Sequence, residues 1–186
     1  MPCAPRALLE FMQRSELAHV LRASSAIADE TSFVLIGSQA VLLLLDEPPP
    51  ELLRSAEIDL YPSLHPEKAD LIDGAIGALS TFHNTFGYHA DGVGPETASL
   101  PVDWMTRAVL RYVGDVTAIC PDLHDLTVSK CAAGRSKDAD FVRVLLARKL
   151  VALDTLIERI GLLDASRHDL AQITHWTERR AQEASA

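Results

Sequence analysis

Residues 33–62 of the chain, FVLIGSQAVLLLLDEPPPELLRSAEIDLYP, decide the predicted fold. The apolar run 33–36 predicts a short buried strand, and the Gly-Ser pair that follows it predicts a tight turn. Residues 39–45 are almost wholly apolar and predict a helix, which three consecutive prolines end. Residues 57–61 alternate acidic and apolar side chains, as a strand with one polar face does. This order of elements predicts an α/β fold.

Two carboxylates project from the second of these strands. Because successive side chains of a strand point to opposite faces, Glu57 and Asp59 lie on the same face. Magnesium binds oxygen ligands and is commonly shared with substrate phosphates. Gly37 and Ser38 stand at the start of the predicted helix, where backbone N–H groups and a hydroxyl can bind a phosphate. The two segments together predict a nucleoside triphosphate site, with Glu57 and Asp59 as metal ligands.

A Gly-Ser pair after a strand, followed by a carboxylate-x-carboxylate strand, resembles the nucleotidyltransferase-fold superfamily. Residues 123–146, LHDLTVSKCAAGRSKDADFVRVLL, contain a lysine followed by Ala-Gly-Arg-x-Lys-Asp. This motif is similar to one in bacterial uncharacterised nucleotidyltransferase-like proteins related to the AbiEii toxins of abortive-infection and toxin–antitoxin systems. Residues 97–107, TASLPVDWMTR, resemble a Leu-Pro-x-x-Trp-x-x-Arg segment of that group. The resemblance covers residues 33–146.

The resemblance implies an α/β (α+β) fold with a small mixed sheet flanked by helices, followed by a helical C-terminal half. We expect an α/β core over residues 1–120 and a helical region over residues 121–186 that packs on it as a single structural unit. The implied activity is metal-dependent transfer of a nucleoside monophosphate from a nucleoside triphosphate to RNA, protein or a small molecule. The implied cofactor is Mg²⁺ or Mn²⁺.

In this family a third carboxylate from a neighbouring strand helps to place the attacking hydroxyl. Asp91 is the candidate for that position, as third metal ligand or base, because it lies in the next predicted strand. Its ordinary interpretation is a turn residue before Gly92. Asp103 is the substitute candidate. The ordinary interpretation of Glu57 and Asp59 is a solvated strand face.

A basic segment supplies the remaining candidates. Lys130 lies beside the buried stripe of its predicted helix, where its charged group needs a partner. The resemblance implies that Lys130 and Asp138 line the nucleotide pocket, and Arg135 and Lys137 are added as nucleotide-binding candidates. Lys130 and Arg135 would offset charge as pyrophosphate leaves. The alternatives are a lysine stem lying along apolar surface and an aspartate that caps a helix.

Two departures from the common family pattern motivate alternative functions. The first carboxylate is Glu57 rather than aspartate, and the triple proline lengthens the spacing between Ser38 and Glu57. The glutamate, together with the open choice of the third carboxylate, motivates the alternative of a non-catalytic nucleotide-binding or partner-binding module of the same fold, as one member of a toxin–antitoxin pair. A third interpretation is a helical scaffold whose acidic strand is ordinary surface.

Composition restricts the partners. The chain has 186 residues, 48% of them hydrophobic, and a formal net charge of −9. This charge argues against non-specific binding to a nucleic-acid duplex, which depends on Lys and Arg. A local group of basic residues suits one triphosphate or one RNA end, such as that of a tRNA: Lys130, Arg135, Lys137, Arg143, Arg148 and Lys149. A cognate toxin or antitoxin is the other expected partner.

The chain shows neither a long apolar run nor the charged start and apolar stretch of a secretory signal, so we expect a cytoplasmic protein without a membrane interaction. Three widely spaced cysteines argue against a disulfide framework and a four-ligand zinc site, and Cys131 is interpreted as a small core residue. His83 and His89 lack metal-binding spacing and are interpreted as scattered polar or core residues.

The remaining elements follow from periodicity and turn signals. One or two amphipathic helices are predicted within residues 4–30, and a further helix is predicted over residues 66–79. Residues 87–92 and 97–100 are predicted to form a hairpin around Gly94 and Pro95. The other predictions are strands 107–113 and 116–120, joined at Gly114 and Asp115, and helices 123–133, 137–148, 151–161 and 165–185.

Overall fold

A computed structural model describes residues 11–185 of the chain, which divide into two compact units. The sheet unit consists of the described residues up to Pro95 together with Leu110–Ile119. The helical unit consists of Glu96–Val109 and the described residues from Cys120 onward. The segment that carries Asp103 therefore belongs with the C-terminal helices.

A five-stranded mixed sheet organises the sheet unit. Its spatial order is β3-β2-β1-β5-β4. Strand β1 runs antiparallel to β2 and parallel to β5, while β2 and β3 are parallel. The strands are β1 (Ser32–Leu35), β2 (Glu57–Pro62), β3 (His89–Gly92), β4 (Val109–Val113) and β5 (Val116–Cys120). The prediction of an α/β fold with a small mixed sheet is confirmed.

Four α-helices belong to this unit: α1 (Arg14–Ala28), α2 (Val41–Leu44), α3 (Ala69–Ile76) and α4 (Thr81–Phe86). Helix α1 buries Leu17, Val20 and Leu21 at helical spacing, which confirms the predicted amphipathic helix over its described part. The start of that predicted stretch, residues 4–10, lies outside the described residues, as does Cys3.

The two faces of β2 and β3 differ in polarity. Ile58 and Leu60 are buried on one face, and Ala90 is buried opposite Ile58 in the parallel register. Helix α3 approaches this apolar face so closely that a Cβ added to Gly92 would lie 2.1 Å from the backbone oxygen of Ala69. The carboxylates of β2 consequently project from the face opposite to α3.

The predicted hairpin between residues 87–92 and 97–100 is wrong. Strand β3 pairs in parallel with β2, and Pro95–Thr97 forms a 3₁₀ turn. A parallel neighbour needs a crossover connection, which here contains α3 and the unpredicted α4. Helix α4 begins after Ser80, whose side chain accepts a hydrogen bond from His83 N, and ends at Gly87 with φ of 77°.

The predicted pair of strands around Gly114 and Asp115 is confirmed. Strands β4 and β5 are neighbours in the sheet, and only the two turn residues separate them along the chain. Gly114 has φ of 63°, a left-handed conformation that glycine adopts without a steric penalty.

The helical unit contains four α-helices, as predicted: α5 (Leu123–Ala133), α6 (Ser136–Ala147), α7 (Leu153–Ile160) and α8 (Leu170–Ala184). Asp122 caps the start of α5 by accepting a hydrogen bond from Asp125 N, and Gly134 ends the helix with φ of 62°. Both signals are visible in the sequence, and α5 has the predicted bounds.

A buried network of charges joins α5 to the rest of this unit. Asp125 has no exposed surface and lies 2.9 Å from Arg107 Nε and 3.1 Å from Arg159 Nη1. Arg107 also forms two hydrogen bonds with the carboxylate of Asp103, and Arg159 pairs with Asp122. Asp103 is thus part of an ion-pair network within the helical unit.

Asp122 gives a pH-dependent prediction. Burial acts to raise its pKa, but the hydrogen bonds from Arg159 and Asp125 N outweigh burial and hold the pKa below its usual value. A carboxyl with a depressed folded-state pKa contributes stability above its unfolded pKa of about 3.9 and loses it as the pH falls through the folded pKa. Between about pH 5 and pH 2, the free energy of unfolding should therefore fall less steeply in Asp122→Asn than in the wild type. Urea denaturation at a series of pH values measures this difference, and parallel profiles would contradict it.

The two cysteines of the described chain, Cys120 and Cys131, are buried and are not joined in a disulfide. Burial raises the pKa of Cys131 to about 11, so the thiol stays protonated at neutral pH, as expected for a small core residue. None of the helices formed by residues 11–185 has both the length and the apolar character needed to cross a membrane.

Candidate active site

Strand β2 has a polar face and an apolar face. Glu57 and Asp59 are half-buried, and Ile58 and Leu60 between and after them are buried. This alternation puts both carboxylates on one face, as the sequence predicts. Because β2 lies between β3 and β1, residues from both neighbouring strands and from the loop after β1 can reach that face.

Strand β3 adds two polar side chains to the same face. In the parallel register Glu57 is opposite His89, and Asp59 is opposite Asp91. His89 and Asp91 are two residues apart and therefore share a face. The sheet thus brings the predicted third carboxylate, Asp91, next to the two carboxylates of β2.

Three of these four side chains form a compact group of metal-ligand atoms. One ligand atom each from Glu57, His89 and Asp91 lies within 4.8 Å of the others. Two ligands on opposite sides of an ion with bonds of about 2.1 Å are about 4.2 Å apart. A small rotation of the side chains would allow these atoms to bind a single divalent ion. The donor set of two carboxylates and one imidazole therefore fits such an ion.

His89 is the most deeply buried member of this group. The residue is 8% exposed, and its ring packs against His83 with centroids 4.3 Å apart. Its Nδ1 has no hydrogen-bond partner among residues 11–185, and its Nε2 lies 3.8 Å from Asp91 Oδ1. Burial lowers the pKa of His89 and His83 lowers it further, while Asp91 and Glu57 act in the opposite direction. The imidazole is therefore neutral at physiological pH.

The Gly-Ser turn after β1 lies directly against the second carboxylate of β2. A Cβ added to Gly37 would be 1.9 Å from Asp59 Oδ2 and 2.8 Å from Asp59 Cγ. The backbone of Gly37 has φ of −82°, which any residue can adopt. The glycine is thus required by the close approach of Asp59 and not by an unusual backbone conformation.

Hydrogen bonds fix this turn to β2. Ile36 N donates to the backbone oxygen of Asp59 at 3.1 Å. The side chain of Gln39 is buried and donates from Nε2 to the backbone oxygen of Ser55 at 3.1 Å. After Gly37 the chain forms a 3₁₀ turn, Ser38–Ala40, that continues into α2, in place of the single predicted helix. Ser38, the next residue after Gly37, begins this 3₁₀ turn and is half-buried.

The basic candidates lie in the helical unit. Lys130 is 9% exposed, and its Nζ lies 5.9 Å from the centroid of the Phe141 ring, within the range of a cation–π contact. Lys137 is exposed. The predicted convergence of these residues with the carboxylates of β2 stays a prediction.

Asp138 has a well-defined structural role. It is 2% exposed and occupies the third position of α6, where its Oδ2 accepts hydrogen bonds from Arg135 N at 3.2 Å and Arg135 Nε at 2.7 Å. These bonds satisfy groups at the start of the helix and pair the charge of the acid. The geometry therefore matches the helix-capping interpretation that the sequence left open.

His89 is the site residue that sequence reasoning missed. Metal-binding spacing along one segment does not reveal it, because the candidate ligand atoms come from two parallel strands in register. The available signal was the pair His89 and Asp91, two apart in a strand, next to a second strand with an acid at each of two alternate positions.

A mixed sheet in which a Gly-Ser turn contacts an acid-x-acid strand defines a protein of the nucleotidyltransferase-like fold class. The chain belongs to the family described as "Nucleotidyltransferase of unknown function (DUF6036)", whose family model matches residues 13–179. This match confirms the predicted superfamily, and the relationship to AbiEii-type toxins stays a prediction. Comparisons with curated proteins and with solved structures found no match.

Proposed function

We propose that the protein transfers a nucleoside monophosphate from a nucleoside triphosphate to a hydroxyl group of an acceptor. The observation that carries this proposal is the close approach of Gly37 and Asp59, because the turn to which we assign the phosphates lies beside a carboxylate to which we assign the metal ion. Membership of the nucleotidyltransferase family supports the same reaction class.

The polar face of β2 supplies the binding groups. We assign Glu57 and Asp59 to a divalent ion, Mg²⁺ or Mn²⁺, and Gly37 and Ser38 to the β- and γ-phosphates. When bound, the ion neutralises charge on the phosphate oxygens. The half-burial of both carboxylates supports this assignment, because it leaves them reachable by a ligand while limiting competition from water.

The proposed reaction exchanges one phosphorus–oxygen bond for another. The acceptor hydroxyl oxygen bonds to the α-phosphorus, the bond from that phosphorus to the oxygen bridging the β-phosphate breaks, and pyrophosphate leaves. The proton of the hydroxyl passes to a carboxylate. Asp91, which lies opposite Asp59 in the register, is our candidate for the third metal ligand or for this base.

The resemblance also supports the proposed setting. We propose a cytoplasmic protein that acts on a tRNA end, a protein hydroxyl or a small molecule, within a toxin–antitoxin or abortive-infection pair. The net charge of −9 supports the exclusion of non-specific duplex binding.

Transfer of label from the α-phosphate tests the proposed activity. The purified protein is incubated with each α-³²P-labelled nucleoside triphosphate, Mg²⁺ or Mn²⁺, and separate tRNA, protein and small-molecule fractions. We expect one fraction to be labelled, and Asp59→Asn to lower the rate by at least about 100-fold, since it removes a charge at the reacting phosphates without changing side-chain size. The matched control is Asp70→Asn, an exposed aspartate of α3, which should transfer at the wild-type rate.

A non-catalytic nucleotide-binding module is the second candidate. Glu57 favours it, because glutamate in place of aspartate at the first carboxylate moves the ligand oxygen by one methylene, and magnesium tolerates little departure from octahedral geometry. Nucleotide binding, measured as a rise in melting temperature, with no labelled fraction would support the module and contradict transfer.

A further inference from the structure

His89 stands out among the polar side chains of β2 and β3, because it is a buried imidazole with a ring nitrogen within 4.8 Å of oxygens of two carboxylates. It lies opposite Glu57 in the register and two residues before Asp91. Its residue is more than nine-tenths buried, and its ring faces the group so that Nε2 is 3.8 Å from Asp91 Oδ1, which is beyond hydrogen-bond distance.

The hydrogen bonding of His89 is incomplete. Its Nδ1 is buried and has no partner among the described residues. The other ring nitrogen, Nε2, is the one that lies nearest Asp91, at 3.8 Å from Oδ1, and it forms no hydrogen bond with that carboxylate. An ion held by the acids would therefore bind His89 through Nε2. His83 packs against the ring with an interplanar angle of 36°, and this contact is not a substitute for the missing hydrogen-bond partner.

The chemistry of the donors determines the class of ligand. Two carboxylate oxygens and one nitrogen within 4.8 Å of one another suit a divalent metal ion. Magnesium and calcium prefer all-oxygen surroundings, whereas imidazole is a good ligand for the first-row transition ions. The nitrogen donor therefore shifts the preference of the site away from Mg²⁺.

We propose that Glu57, His89 and Asp91 form a metal site that binds a first-row transition ion in preference to Mg²⁺, and Mn²⁺ serves as the spectroscopic probe of that site. Glu57 is common to this ligand set and to the one assigned under the proposed function, and His89 and Asp91 add the nitrogen and a further carboxylate. The inference rests on the proposed function for the use made of the ion, whereas binding of the ion requires no catalysis.

Electron paramagnetic resonance of Mn²⁺ added to the full chain without nucleotide tests the site directly. We expect one bound Mn²⁺ per chain, an affinity at least about tenfold above that for Mg²⁺ in competition, and a ¹⁴N coupling from a directly bound imidazole in electron spin-echo spectra. Absence of a bound ion, or a bound ion without nitrogen coupling, overturns the proposal. This measurement uses the wild-type protein and does not depend on the folding of a variant.

Two histidine variants distinguish a histidine that binds the metal ion from a histidine that only packs against the metal ligand. His89→Gln should lose the nitrogen coupling and lower the Mn²⁺ affinity by at least about tenfold, since even residues that only support a ligand cost 10–100-fold. His83→Gln, which alters the stacked ring but no proposed ligand, should keep both. Equal affinity and coupling in His89→Gln and the wild type would overturn the assignment of His89.

Different experimental results would contradict the metal site and the transferase activity. Nitrogen-coupled Mn²⁺ without any labelled acceptor would leave the metal site standing and remove the transferase. Label transfer by a protein whose bound Mn²⁺ lacks nitrogen coupling would leave the transferase standing and remove His89 as a ligand.

Discussion

Replacing Gly37 by alanine is expected to lower the rate of nucleotidyl transfer by at least about 100-fold, because displacing a catalytic group by about 1 Å is sufficient for such a loss. The new Cβ would lie 1.9 Å from Asp59 Oδ2 and 3.0 Å from Asp59 Cβ. The side chain of Asp59 must then rotate away, or the turn must shift together with the phosphate-binding groups. Either movement separates the carboxylate from the turn, and rates from the α-label assay measure the result.

Gly74→Ala is the matched control for this substitution. Gly74 lies in α3 of the same unit, and a Cβ added there meets nothing within 4 Å. Alanine in an exposed helix interior is more stable than glycine by about 0.5–1 kcal/mol. We expect a slightly higher melting temperature and an unchanged rate. Wild-type activity in Gly37→Ala would contradict the role assigned to the contact between Gly37 and Asp59.

Replacing Asp125 by alanine is expected to lower the free energy of unfolding by about 3–5 kcal/mol, the usual cost of removing one partner from a buried ion pair. Asp125 has no exposed surface and is in contact with both Arg107 and Arg159. Its removal leaves two guanidinium groups, each less than a quarter exposed, with a smaller share of countercharge. Urea denaturation measures the loss.

Asp140→Ala provides the comparison on the surface of the same unit. Asp140 pairs with Arg143, but its side chain is 71% exposed, and exposed ion pairs contribute about 0–1 kcal/mol. We expect a change within that range. If the free energy of unfolding falls by the same small amount in both variants, the ion-pair network around Asp125 does not stabilise the helical unit.

The fold was most predictable where one local pattern decides an element. The alternation from Glu57 to Tyr61 predicts a strand with one polar face, and β2 spans Glu57–Pro62. Helix α5 begins and ends where Asp122 and Gly134 indicate, because capping is a local interaction between neighbouring residues.

The prediction failed where distant parts of the chain decide the structure. Gly94 and Pro95 are good turn formers and favoured a hairpin, but the strand before them pairs with β2, about thirty residues earlier in the register. The choice between a local antiparallel partner and a distant parallel one depends on packing of α3 against Gly92, which no local pattern reveals.

The same distinction between local motifs and distant pairing applies to the residues of the candidate site. The Gly-Ser turn and the acid-x-acid strand are each local motifs, so Gly37, Glu57 and Asp59 could be chosen from the sequence. His89 can be chosen only if the strand that contains it is paired in parallel with β2, because its relation to Glu57 exists only through that register. Asp138 shows the opposite difficulty: a motif residue at a helix start has a capping geometry whether or not it also binds a ligand.

Parallel reactions with α-³²P- and γ-³²P-labelled nucleoside triphosphate test the central claim most directly, since they report which phosphorus atom is attacked. The account predicts that the acceptor is labelled from the α-phosphate alone and that the γ-label is released as pyrophosphate. Labelling of the acceptor from the γ-phosphate, or from neither, would contradict nucleotidyl transfer at the face formed by β2 and the Gly-Ser turn.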